Sequence, residues 1–184
     1  NINKDVLIAE EGDYYETKNL SYNYSESFPT MWRNSGVTPI LGKNFIPYGE
    51  GKCVGGSTLL NGGLMRRTPE KVIDLWRKKY DLNNLNYEKL QKIYSKIEED
   101  LSIKFNNRDE NSNSASKLLT RGAEKLNWSY IDVPRAQKDC INSNQCAAGC
   151  PSGAKQSMNV TYIPEAIKSG SKLIYNLRIE KLIF

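Results

Sequence analysis

An α/β fold is predicted for this chain from three observations. The run Asp5-Val6-Leu7-Ile8-Ala9-Glu10-Glu11-Gly12 is apolar and ends in acid and glycine, as a buried parallel strand does on reaching a turn. The segment Gly51–Arg67 (GKCVGGSTLLNGGLMRR) packs five glycines ahead of a helix start. Helix-period and strand-like runs mix along the remainder. In such a fold the first βα unit is expected upstream of Asn1.

In chain order, the strand over residues 5–12 comes first. Residues 13–50 are rich in Tyr, Ser and Asn and carry Pro29, Pro39 and Pro47. They predict an extended excursion with little regular structure. After the glycine loop, Thr68 is expected to cap a helix from Pro69 to Lys79, with Pro69 in the first turn and Glu70 complementing the helix dipole. Tyr87, Leu90, Ile93, Tyr94, Ile97 and Leu101 recur at helical spacing and predict a second, amphipathic helix. Asn106–Ser114 reads as a solvated loop and Ala115–Leu126 as a third helix. A cysteine-bearing segment, 140–150, precedes a helix near Pro164–Lys168 that Gly170 closes. Lys172–Tyr175 and Ile179–Phe184 read as strands.

Composition narrows the function classes. The 184 residues carry a net charge of +5, but apart from Arg77-Lys78-Lys79 the basic residues are scattered among acids, which argues against a nucleic-acid-binding face. No apolar run approaches a membrane span and no signal peptide is visible; the cytoplasm is slightly favoured, and secretion stays open because a leader could lie upstream of Asn1. The chain contains no histidine, which removes a histidine base, a His-based triad and a His-rich zinc site from these residues. It does not begin with Met and stops within an apolar run, so both ends look cut.

Two segments carry chemistry. Glycine lets a backbone turn with positive φ and lie flat against a ligand. Peptide N–H groups gathered before a helix favour phosphate or another electron-rich group. A plain connection between packed elements is the alternative for Gly51–Arg67. In a dinucleotide-binding βαβ unit, a carboxylate at the end of the second strand hydrogen-bonds the adenosine ribose. Glu10 stands at that place, where an ordinary turn is the competing reading.

Together these segments resemble the glucose–methanol–choline (GMC) family of FAD-dependent oxidoreductases. Val6–Gly12 is similar to the family's second strand, VLVLEAG. GKCVGGSTLLNGGLMRRTP resembles the signature GxxLGGSSxxNxMxxxRxxP, in an NGG variant close to that of sterol oxidases. Gly153-Ala154-Lys155-Gln156-Ser157, with Tyr162–Ala166, resembles the later G-x-R-x-S…Y-L-x-x-A segment, and Ile174–Leu182 the strand beside adenine. The motifs fall in family order across nearly the whole chain.

The resemblance implies a Rossmann-like FAD-binding domain lacking its first βα unit, with part of a second, substrate-side region. Residues 1–80 would supply the second strand, the excursion and the flavin loop. Residues 81–150 would form a helical, Cys-rich insertion, and 151–184 would return to the FAD domain. Glu10 would bind the adenosine ribose. Gly55, Gly56 and Ser57 would bring backbone close to the flavin and its diphosphate. Asn61, Gly62, Gly63 and Leu64 would run beside the isoalloxazine ring, and Ile179 would contact adenine. Met65 and Thr58 depart from the common pattern. FAD would be non-covalent, because the covalent histidine of some members has no counterpart. The implied reaction is oxidation of a small-molecule alcohol, with hydride passing to flavin N5 and oxygen, quinone or cytochrome as electron acceptor. Long-chain alcohols, sterols and sugars are the substrate classes. The catalytic His and its His or Asn partner would lie beyond Phe184, so no catalytic residue is assigned here.

Cys140, Cys146 and Cys150 form C-x5-C-x3-C followed by Pro151. Structural zinc wants four ligands, which this set lacks. An iron–sulfur cluster is an alternative suggested by short Cys spacings and a Cys-Pro closing. GMC-like sugar dehydrogenases with a cluster here have a further cysteine where this chain has Ile141. Gly149–Lys155 is also similar to the G-C-x-x-G-x-K segment of fatty-alcohol-oxidase-like members. A disulfide or packed, unligated thiols are the remaining readings, and Cys53 is expected to be a small buried packing residue. An electron-transfer or metal-binding module built on the three cysteines is thus one rival function. A nucleotide-binding protein without redox chemistry is another.

Overall fold

The computed structural model describes residues 5–105 and 114–183. The chain divides into two compact units, one from 1–63 with 138–184 and one from 64–137. The loop expected over Asn106–Ser114 lies, but for Ser114, outside the described residues.

In the first unit, β1 (Leu7–Ala9) pairs in parallel with β6 (Lys172–Ile174), Ile8 opposite Leu173. The parallel pairing is as expected, but the burial is not. Val6 and Leu7 are about half exposed, on a ladder of only two strands among the described residues. Ile179–Ile183 forms no strand, as it meets no ladder partner among the described residues, and Phe184 lies outside them.

The segment 13–50 is more regular than its composition suggests. Helix α1 (Tyr24–Met31) starts where Asn23 Oδ1 accepts from Ser25 N, and it carries Pro29 inside it. An antiparallel pair, β2 (Thr38–Ile40) and β3 (Ile46–Tyr48), sets Pro39 opposite Pro47. Two residues without N–H can face each other only where the ladder needs no bond, so neither proline breaks it. Buried Leu20, Met31, Cys53, Leu59 and Leu60 form the core of this unit, with Tyr15 and Trp32 packed against it. Tyr24 Oη donates to the Asn144 carbonyl at 3.0 Å and Trp32 Nε1 to that of Ala147 at 3.4 Å, fastening α1 to the cysteine-bearing segment. The short helix α2 (Ser57–Leu60) follows the glycine turn, and α6 (Tyr162–Lys168) is closed by Gly170 at φ +97°.

The second unit holds α3 (Glu70–Tyr80), α4 (Tyr87–Asp100) and α5 (Ser114–Lys125), with β4 (Ile103–Lys104) antiparallel to β5 (Arg135–Ala136). Thr68 does not cap α3. Pro69, extended at φ −61° and ψ 145°, takes the N-cap position, and the Thr68 hydroxyl instead accepts from Tyr94 Oη at 3.1 Å. Asn86 caps α4 through Lys89 N at 2.9 Å. Arg67 Nε donates to Glu98 Oε1 at 2.7 Å and its Nη1 to Gln91 Oε1 at 2.7 Å, anchoring the chain on α4 before α3 begins.

Candidate functional site

The site starts at the carboxyl end of β1. The ladder continues past the strand: Glu10 N donates to the Ile174 carbonyl, Leu177 N to that of Glu10, and Asn176 N to that of Gly12, each at 2.9 Å. Glu10 is half-buried, and its Oε1 accepts from Gly12 N at 2.7 Å. The neighbouring Glu11 turns into an ionic cluster. Arg33 Nη2 donates to Glu11 Oε2 at 2.9 Å, Arg33 Nε binds Glu50, and Tyr48 Oη donates to Glu50 Oε2 at 2.8 Å. The Arg33 hydrogen bond holds the Glu11 carboxyl below its ordinary range. Tyr48 first and Arg33 second do the same for Glu50.

The acidic strand end and the glycine loop are stitched together. Asp13 bridges Cys53 in parallel, and Val54 N donates to the Asp13 carbonyl at 2.9 Å. A Cβ on Gly12 would meet the Lys52 carbonyl oxygen at 2.1 Å, so only glycine permits this approach. Cys53 is fully buried, as expected, with Sγ 3.7 Å from the Gly56 carbonyl oxygen. Burial pushes its thiol up to about 12.

The turn itself uses Gly55 at φ +91° and Gly56 at φ +55°. A Cβ on Gly55 would crowd Asn159 at 3.1 Å, whereas one on Gly56 would meet nothing within 4 Å. One glycine is thus packed against protein and the next presents bare backbone to open space. Ser57 Oγ accepts from Gly51 N at 3.0 Å. Thr58 Oγ1 donates to the Gly55 carbonyl at 2.5 Å and accepts from Met158 N at 3.0 Å. The departure at position 58 therefore splices the turn to the later segment. Beyond α2, Asn61 Oδ1 accepts from Gly63 N at 2.9 Å, and Asn61 and Gly62 are exposed.

Glu10, Gly55, Gly56, Ser57, Asn61, Gly62 and Gly63 all belong to the first unit. Ile179 belongs to it as well, on the exposed run that follows β6. Leu64 falls in the second unit, where it bridges Arg135.

Lys155 was legible only as a letter in a motif, and the structure gives it a central place. It is 2% exposed, and its Nζ donates to the carbonyls of Leu59 at 2.6 Å, Asn61 at 2.8 Å and Cys146 at 2.6 Å. A basic residue between Ala154 and Gln156, in a stretch of small residues, was the available signal.

The cysteines do not form a ligand set. Among the described residues no group of three Cys, Asp or Glu side chains is disposed to hold a metal, and all four thiols are unbridged. Their positions have another cause. Cys150 adopts φ +60° in the turn after Gly149, and its Sγ accepts from Lys155 N at 3.2 Å. Cys146 contributes its main-chain carbonyl to Lys155. Backbone geometry organises this segment around the lysine.

The family model described as GMC oxidoreductase matches residues 28–184. A GMC-type oxidoreductase of Sinorhizobium fredii is 33% identical over 96% of this chain and 35% of its own length. One from Mycobacterium tuberculosis is 27% identical over 97% of this chain and 28% of its own length. A long-chain-alcohol oxidase of Arabidopsis thaliana is 22% identical over 97% of this chain and 23% of its own length. The chain spans about a third or less of the curated relatives it matches.

Proposed function

Because this chain belongs to the GMC oxidoreductase family, we propose that it forms the flavin-holding portion of an FAD-dependent enzyme that oxidises an alcohol. The observation that carries the reading is the Gly55–Gly56 turn, stitched to the acidic end of a parallel strand and bare on the Gly56 side. Ligands of open α/β sheets sit outside the carboxyl ends of parallel strands, where this turn lies. β1 and β6 would be two strands of a Rossmann-like sheet, and the helical part of 81–150 an insertion in the FAD domain.

These residues suit FAD. Glu10 would accept from the adenosine ribose hydroxyls, and Ile179 would lie by adenine. Gly55, Gly56 and Ser57 would bring main chain against the diphosphate and flavin, where a side chain would block approach. Asn61, Gly62, Gly63 and Leu64 would follow the ring edge. When bound, FAD supplies the acceptor of a hydride from the alcohol carbon. The chain's own residues bind and orient it: Thr58 and Asn61 fix the loop on either side of α2. Buried Cys53, with its thiol held protonated, keeps a nucleophile out of reach.

The alcohol oxidases among its relatives make long-chain alcohols the first substrates to test. Full-length protein should purify yellow, and its flavin should bleach anaerobically on adding such an alcohol, with sterols and sugars as further arms. A folded, colourless preparation would sink the reading.

A further inference from the structure

Lys155 is the one charged side chain buried among the described residues. An uncharged amine donates two hydrogen bonds and an ammonium three. Lys155 Nζ serves three carbonyls, so it is held as the cation although burial pulls its pKa down to about 8. Among the described residues no carboxylate pairs with it, and what holds the ammonium is the set of three main-chain carbonyls. A buried charge without a counter-charge is costly, and a fold retains one where the charge has work to do. The three carbonyls say where. Leu59 and Asn61 lie at the carboxyl end of α2, where the exposed Asn61-Gly62 pair begins, and Cys146 lies in the turn packed on α2.

We propose that Lys155 is a positioning residue of the flavin-side loop, whose ammonium gathers the Leu59, Asn61 and Cys146 carbonyls and sets a fixed positive charge behind Asn61–Gly63 that favours the reduced, negatively charged flavin. The inference rests on the reading of that loop as the flavin side of the site. It assigns to Lys155 two effects that separate experimentally. Removing the bonds loosens the loop and weakens FAD retention. Removing the charge lowers the flavin's reduction potential even where FAD stays bound.

The test uses full-length, FAD-loaded protein with Lys155→Arg and Lys155→Gln, reading the flavin midpoint potential and the affinity of the apoprotein for FAD. Arginine keeps the charge and donors, and its variant should stay within about threefold of the parent in both readouts. Glutamine keeps donors but not charge, and should shift the reduced–oxidised equilibrium at least about tenfold towards the oxidised form, about 30 mV for a two-electron couple. A Gln variant with the parent's potential overturns the proposal. Should that variant not fold, the Arg variant decides: an unchanged potential supports the charge, and a tenfold shift despite it overturns the idea. A parent protein that holds no flavin sinks the loop reading and this inference together. A flavin-loaded parent with an indifferent Gln variant sinks this inference alone.

Discussion

Gly12 lies against the main chain of Lys52 so closely that a methyl group on it would meet the Lys52 carbonyl oxygen at 2.1 Å. That oxygen belongs to backbone and cannot swing aside. Gly12→Ala should therefore force the strand end from the glycine loop and destabilise the protein by about 3 kcal/mol or more, read as a lower denaturation midpoint. Gly122→Ala is the matched control. Its Cβ would meet nothing within 4 Å on exposed α5, and alanine there should add about 0.5–1 kcal/mol of stability.

Gly56 offers the opposite geometry, and a different outcome follows. Open space on its Cβ side means that Gly56→Ala meets no protein atom, although φ +55° with ψ −146° costs about 1–3 kcal/mol of strain. The flavin-to-protein ratio should fall at least tenfold while the melting temperature drops only modestly. Full flavin content in this variant would place the flavin elsewhere.

The Arg33 cluster predicts an acid limb. Glu11 and Glu50 have folded-state pKa values below the ordinary 4.5, so the unfolded chain binds more protons as pH falls past that value. Their stabilisation is present above about pH 4.5 and is lost as pH falls through their lowered values. Arg33→Met should flatten the dependence of stability on pH in that window and leave stability near pH 7 only slightly reduced, because the cluster is solvent-screened. Denaturant titrations at a series of pH values between 3 and 7 measure it.

Thiol chemistry should sort by burial. Cys53 is 0% exposed, with its thiol pushed up to about 12, while Cys140 is half-buried. Iodoacetamide at pH 8 should label Cys140 in the native protein and reach Cys53 only at the rate of unfolding. Mass spectrometry of timed digests would show the order, and prompt labelling of Cys53 would contradict the packing described.

Elements with strong local signals were legible in the sequence. The six apolar residues from Tyr87 to Leu101 marked α4, and Gly170 marked the end of α6, because periodicity and capping are local. Helix α1 was hidden by Pro29, which removes the bond to the Ser25 carbonyl. The helix forms because Met31 is buried in the core and Tyr24 and Trp32 grip the Asn144 and Ala147 carbonyls. The β2–β3 pair was hidden by Pro39 and Pro47, whose pairing only a register reveals. At the candidate site, the turn at Gly55 and Gly56 was legible because a backbone with positive φ leaves glycines at set places. Lys155 and Thr58 could not. Their partners, Leu59 and Met158, lie about a hundred positions away in the chain, and no local pattern encodes such a bond.

The first unit is assembled from both ends of the chain, with residues 64–137 intervening as one continuous stretch. Closing a loop costs free energy that grows only with the logarithm of its length, about 0.6 kcal/mol for each doubling. That is less than one buried hydrogen bond to a charged group. Evolution can therefore lengthen, shorten or rebuild the intervening stretch at small expense to the first unit, so long as residue 138 still returns beside residue 154. Sequence divergence among relatives should be borne there, while the stitched turn stays as it is.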